Sequence, residues 1–321
     1  MQVYIANLKL DESKYIIAYN YSSQSIFLVL NTLGLPTLNL DFICDESDIH
    51  DIPDILVNYY ETNPVNTREI EIGKAYFNIW KPGLNSPSIP EQLGYNAIQK
   101  NRAKRDLSIL VQKLQEILLY VEPTKEGLSS YSHKTRELLL LASTEVENCL
   151  RQYISDCNSD RAKTNDYVNI LDKVDLKKYK ITFNGYSEVF SCKPFGLWKK
   201  EQPTQSIAWY EAYNKTKHNK DKYFNLATLE NVLYAVAACV VMFCIRYSPQ
   251  AIYSENDFYS NLIRNFIEVS ILDISETDIY IPKITGQRGY SGAFSAPRNF
   301  LNGKCINDIY DIPSFEIMQF E

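Results

Sequence analysis

The sequence predicts an α+β protein, and three observations lead there. Apolar runs of strand length fill the first 90 residues, a proline-rich stretch follows them, and beyond it the apolar residues recur at helical spacing. The expected organisation is a small β-rich N-terminal domain over residues 1–90 and a mainly α-helical bundle over residues 91–271. An irregular C-terminal tail over residues 272–321 is expected to pack on the bundle.

The runs VYIANLKL (3–10), KYIIAYNY (14–21), SIFLVL (25–30), LNLDFIC (38–44) and EIEIGKAYFNIW (69–80) are rich in β-branched and aromatic residues. Turn-forming clusters such as DESK, YSSQS and NTLGLP separate several of them. Alternation is clearest in the last run, where Ile70, Ile72 and Lys74 oppose Glu69, Glu71 and Gly73. Residues 81–92, KPGLNSPSIPEQ, carry three prolines and a glycine and read as a linker.

After the linker the period changes to 3.6. Leu107, Leu110, Val111, Leu114, Ile117, Leu118 and Val121 make one stripe of a helix expected over residues 95–121, which Pro123 terminates. A second helix is expected over residues 132–157, with Leu139, Ala142, Val146, Cys149, Tyr153 and Cys157 inward and Ser132 as its N-cap. Lys134 and Arg136 in its first turn oppose the helix dipole. Residues 158–203 are irregular, with a short helix in NDYVNILDKVDLKKYK and a hairpin or exposed loop in ITFNGYSEVF. Helices are expected over residues 206–218, 226–247 and 255–271.

Composition limits the function classes. A net charge of −6 argues against a surface that grips nucleic acid everywhere, though a local basic cleft stays open. The seven cysteines include no CxxC pair, so free thiols in a reducing cytoplasm are expected, without a structural zinc or any other cofactor. No secretory signal is visible in MQVYIANLKLDESKY. The apolar run 232–245 spans about 21 Å as a helix against a hydrocarbon core of about 30 Å, so a buried core helix and no membrane partner are expected.

The chemistry concentrates in WYEAYNKTKHNK (209–220), which holds one of the three histidines among lysines. On a helix, Tyr210, Asn214 and His218 share a face, with Tyr213, Lys217 and Lys220 near a neighbouring one. Lysines supply charge for a phosphate, asparagine orients, and a neutral histidine accepts a proton. A ribose 2′-OH is then a candidate nucleophile, with the lysines stabilising the added charge. The other reading is a solvated helix junction, and the residues alone leave both open.

Taken with RELLLLASTEVE (136–147) and FNLATLENVLYAVAACVV (224–241), this stretch resembles the helical HEPN superfamily of prokaryotic defence and toxin proteins, over roughly residues 95–247. The resemblance implies a helical bundle, commonly dimeric, often acting as a metal-independent endoribonuclease. The family motif is an arginine, often followed by asparagine, then a histidine after four to six intervening residues. Asn214 and His218 match the last two, and Tyr213 stands at the arginine position. Arginine presents a charged fork and tyrosine a single hydroxyl, so another cation must substitute or the site binds without cutting. Lys217, Lys220 and Arg136 are the candidate substitutes. Superfamily members often carry an acidic residue on the earlier helix, and Glu145 is favoured over Glu147 because it borders the apolar stripe.

The expected function is an RNA-targeting effector of antiviral defence or a toxin system. His218, Asn214 and Glu145 are the expected catalytic residues, and Lys217, Lys220, Arg136 and Tyr213 the substrate-binding ones. RNA or a nucleotide, a second copy of the chain, or a partner protein of such a system are the expected partners. The rival is a catalytically silent interaction or nucleotide-binding protein. Weaker features are the basic cluster of Lys100, Arg102, Lys104, Arg105 and Lys113, expected to be a solvated helix face, and the glycine-rich GQRGYSGAF (286–294). His50 and His133 are expected to be structural.

Overall fold

The strands of the N-terminal region read as nearly continuous apolar runs because their sheet is covered on both faces. The computed structural model describes residues 1–21, 24–45, 51–82, 92–155, 167, 174–283 and 315–318. His50, the glycine-rich stretch, Cys157, Cys305 and most of the expected linker lie outside the described residues. The chain divides into two compact units: Met1–Phe77 with Lys81–Gly94 and Ile274–Met318, and Asn78–Trp80 with Tyr95–Asp273.

In the first unit, β1 (Gln2–Asn7), β2 (Lys14–Tyr21), β3 (Gln24–Asn31) and β4 (Thr37–Asp45) form an antiparallel meander. After α1 (Ile52–Asn58), β5 (Asn66–Glu69) returns to the free edge of β1, so the order is β4-β3-β2-β1-β5. Ile16, Ala18 and Phe27 on one face pack with Ile52, Ile55 and Leu56 of α1. On β2 the neighbouring Tyr19 points the other way, and its buried hydroxyl donates to the Pro282 carbonyl at 2.7 Å.

The run 69–80 is not one strand. It breaks at Gly73, whose φ of +71° a β-carbon disfavours, leaving β5 and the short β6 (Lys74–Tyr76) on either side. The C-terminal residues are a second correction: 274–283 belong to this first unit and not to the helical one. The Gly73 N–H donates to the Ile281 carbonyl at 2.8 Å, and Arg68 pairs with the buried Glu276 at 2.9 Å. The final strand, β10 (Glu316–Met318), adds in parallel to β6.

The second unit is built around four helices. Helix α2 (Ala97–Leu118) starts where the Asn96 side chain accepts from the N–H groups of Ile98 and Gln99 at 2.8 and 3.2 Å. It buries the expected stripe from Leu107 to Leu118 but ends before Val121. Helix α3 (His133–Ser155) follows the expected cap: Ser132 Oγ accepts from Thr135 N–H, and Thr135 Oγ1 accepts from Ser132 N–H. A hairpin of β7 (Tyr179–Phe183) and β8 (Phe190–Cys192) then turns at Gly185, with φ +95°.

Helix α4 (Ala208–His218) and the short α5 (Lys220–Tyr223) lead into α6 (Leu229–Tyr247). Helix α6 starts later than the expected residue 226, because Thr228 caps it by accepting from the Asn231 N–H at 3.3 Å. By length and composition it meets the requirement for a membrane span, yet most of it is buried within its own unit. Its small residues let α3 approach closely enough for Cys239 Sγ to reach the Ala142 carbonyl at 3.2 Å. After α7 (Gln250–Tyr253) the expected helix over 255–271 is only α8 (Phe258–Arg264). The rest is β9 (Ile267–Ile271), antiparallel to β7, with Ile267, Val269 and Ile271 buried at period two.

The basic cluster on α2 is not simply a solvated face. Lys104 is 1% exposed, and its ammonium pairs with Glu255 and, at 2.9 Å, with Asp257. Lys100 holds the other oxygen of Glu255 at 2.5 Å.

Candidate functional site

The segment KPFGLWKKEQPT, whose sequence signals only turns, is an aromatic latch for the start of α4. Phe195 stacks on Trp198 at 5.4 Å between ring centroids and meets the edge of Trp209 at 6.0 Å. The indole N–H groups of Trp198 and Trp209 donate to the carbonyls of Pro203 and Pro194 at 2.6 and 2.8 Å. Trp209, Ala212, Tyr213 and Thr216 then recur at helical spacing on the buried face of α4. This turns Lys217 and His218 outward at its end.

The group facing α4 from α3 is Glu147. Its Oε1 accepts from the Tyr210 hydroxyl at 2.7 Å and its Oε2 from the Tyr213 hydroxyl at 3.0 Å. The Lys217 ammonium donates to the same Tyr213 oxygen at 2.8 Å and lies 4.9 Å from the ring centroid. That hydrogen bond holds the Lys217 pKa above its ordinary value. Tyr213 therefore stands between an ammonium and a carboxylate, donating to one and accepting from the other.

Glu145, the residue favoured from sequence, does not join this network. Its Oε1 accepts from Cys149 Sγ on the same helix at 3.9 Å, and its charge adds to the burial that raises the thiol of Cys239 on α6. Two residues along a helix turn a side chain by about 200°, which separates Glu145 from Glu147. Arg136 does reach across the bundle, but as a cap: its Nη2 donates to the Thr216 carbonyl at 3.0 Å in the last turn of α4. Replacing it, Arg136→Met, is expected to cost about 1–2 kcal/mol, read as a lowered urea midpoint.

Asn214 turns its amide back on its own helix, donating to the Tyr210 carbonyl at 2.9 Å. His218 is exposed, and among the described residues its imidazole has no hydrogen-bond partner. Lys220 is exposed with its ammonium 5.9 Å from the Phe224 ring centroid. The structure thus brings Tyr213 and Lys217 together around Glu147, and leaves Asn214, His218 and Lys220 outside that cluster.

Arg151 is the cation that sequence reasoning missed. It follows Glu147 by one helical turn on α3, and Glu147 and Tyr213 both act on its charge. A hydrogen bond to Tyr167 is the main reason its guanidinium is held above its usual value. The i, i+4 spacing of Glu147 and Arg151 was the available signal. Among the described residues no group of three His, Cys, Asp or Glu side chains is placed to hold a metal ion.

Comparison with protein-family models, with curated proteins and with solved structures finds no match to this chain.

Proposed function

We propose that the protein is a cytoplasmic RNA-targeting effector that grips RNA phosphates with Lys217 and Arg151 and does not cut the strand by itself. The observation that carries this reading is the engagement of Tyr213. At the position where the resemblance to the HEPN superfamily calls for an arginine, the hydroxyl is clamped between Glu147 and Lys217. Arg136 is committed to the Thr216 carbonyl and Asn214 to its own helix, so neither orients a phosphate beside His218. A general base needs a positioned proton donor and a stabilised transition state, and among the described residues His218 has neither. Lys217 and Arg151 remain charged, lie near the surface and suit a phosphate backbone. Free buried thiols at Cys192, Cys239 and Cys244 support a reducing compartment.

A second reading is favoured by the exposure of His218: a second copy of the chain, or a partner protein, supplies the missing guanidinium and completes a metal-independent endoribonuclease. One experiment separates the two. With mixed RNA in EDTA, the purified protein is expected to retain intact RNA on a native gel. The Lys217→Ala and Arg151→Ala variants are each expected to lower the salt dependence of binding by about one counterion. Metal-independent cleavage that falls about a hundredfold in His218→Ala would replace the first reading with the second. Absence of any RNA binding sinks both.

A further inference from the structure

Beyond the cluster at Glu147, the same stretch of chain carries a surface that this chemistry does not use. Three lysines around His218 lie over exposed or half-buried rings. Lys220 is 5.9 Å from the centroid of Phe224, while Lys215 and Lys222 are 5.7 and 5.0 Å from that of Tyr223. Two further rings come from the start of α3. His133 lies 4.9 Å from Phe224 at a tilt of 41°, and Tyr131 meets it edge-on at 5.6 Å.

Main-chain bonds hold these rings in place. Tyr131 forms an antiparallel bridge with Thr228, and the Leu229 N–H donates to the Ser130 carbonyl at 2.8 Å. Yet Tyr131 is 51% exposed and Tyr120, at the end of α2, is 84% exposed. Between them opens a mostly apolar cavity of about 360 Å³, floored by Ile117, Val121 and Leu229.

We infer that this face is a stacking platform for a single-stranded polynucleotide. Bases stack on His133 and Tyr131 against Phe224, one base enters the cavity beside Tyr120, and the backbone follows Lys220 and Lys222. Rings alternating with ammonium groups are the chemistry that binds a strand whose bases are unstacked. A duplex hides its base faces and offers them nothing to hold. An anionic lipid surface fits less well, because its headgroups satisfy the exposed lysines but offer no flat ring to stack on Tyr131 and His133. Lys134 at the cavity rim is already paired with Glu116 at 3.2 Å, so it is not assigned a phosphate.

The inference rests on the proposal that the chain engages nucleic acid, and the test keeps the two apart. Fluorescence anisotropy is measured with a labelled single-stranded RNA, a DNA strand of the same sequence and their duplex forms. The variants are Tyr131→Ala, His133→Ala, Tyr131→Trp and Lys217→Ala. Tyr131→Ala and His133→Ala are each expected to weaken single-strand binding by about 5- to 150-fold. Tyr131→Trp is expected to keep it, which separates loss of stacking from loss of fold. Unchanged binding in both alanine variants overturns the platform, as does a duplex bound as tightly as the single strand. Binding lost in Lys217→Ala but kept in Tyr131→Ala leaves the RNA proposal standing and removes the platform. Equal binding of DNA and RNA, both lost in Tyr131→Ala, keeps the platform and removes the preference for RNA. Binding to phosphatidylserine vesicles that falls in the same variants, with no polynucleotide bound, overturns both.

Discussion

The Lys104→Ala variant is expected to lose about 3 kcal/mol of stability, seen as a lower urea midpoint with an unchanged slope. Lys104 is 1% exposed and lies between Glu255 and Asp257. Removing it leaves a void on the buried face of α2 and two carboxylates facing each other. Those carboxylates are themselves 36% and 40% exposed, so water screens part of the repulsion and the loss falls at the low end for a broken buried pair. Adding Asp257→Asn to Lys104→Met removes the repulsion while keeping most of the stem volume, and is expected to recover part of the loss.

The pH dependence has a definite sign. Burial pushes the carboxyls of Glu255 and Asp257 up, but hydrogen bonds outweigh it, from Lys100 and Lys104 in one case and from Lys104 and Ser260 in the other. Both carboxyls are therefore depressed in the folded chain, Asp257 well below the usual carboxylate range. Their contribution is present above the unfolded value of about 4 and is lost as the pH falls through the folded one. The wild-type protein is expected to lose stability steeply below about pH 4, and Lys104→Ala much less so. An acid limb of equal steepness in the two would remove Lys104 as its cause.

Glu147→Ala is expected to cost about 3 kcal/mol, because it deprives two tyrosine hydroxyls of a charged acceptor at once. Glu147→Gln keeps one acceptor oxygen but turns an amide N–H₂ toward the other hydroxyl, so about half of that loss is expected. A double-mutant cycle with Tyr213→Phe isolates the bond between the two side chains, and a coupling below about 0.5 kcal/mol would deny the clamp. In function the same change is expected to loosen the end of α4 and weaken RNA retention without touching His218.

Much of this architecture was legible from residue patterns. The apolar runs of β2 and β3, the stripe of α2 and the cap at Ser132 follow from period and local hydrogen bonding. Other features were legible but not read. Lys104 stands at helical spacing with Leu107, Ser108 and Val111, so its burial lies in the same stripe that predicts the helix. Ile267, Val269 and Ile271 alternate with Glu268 and Ser270, which is a strand pattern.

The choice of Glu145 conflicted with that of Arg136. Nine residues along a helix turn a side chain by about 180°, whereas the eleven from Arg136 to Glu147 return it to within about 20° of the same face. Only Glu147 was compatible with an Arg136 that reaches α4. What no local pattern contained was the covering of the N-terminal sheet by residues 274–283, since nothing in that stretch names a partner so distant in sequence.

That covering has a consequence during synthesis. Tyr19 and Pro282, which share a buried hydrogen bond, are 263 positions apart. At ribosomal rates of about 5–20 residues per second, the meander emerges on the order of 10–50 s before the segment that shields its second face. Throughout that interval the nascent chain presents an apolar sheet surface and an unpaired strand edge to its surroundings. Expression is therefore expected to be sensitive to chaperone supply in proportion to that delay, even though the finished fold buries Val3, Ile5, Ile17 and Tyr19.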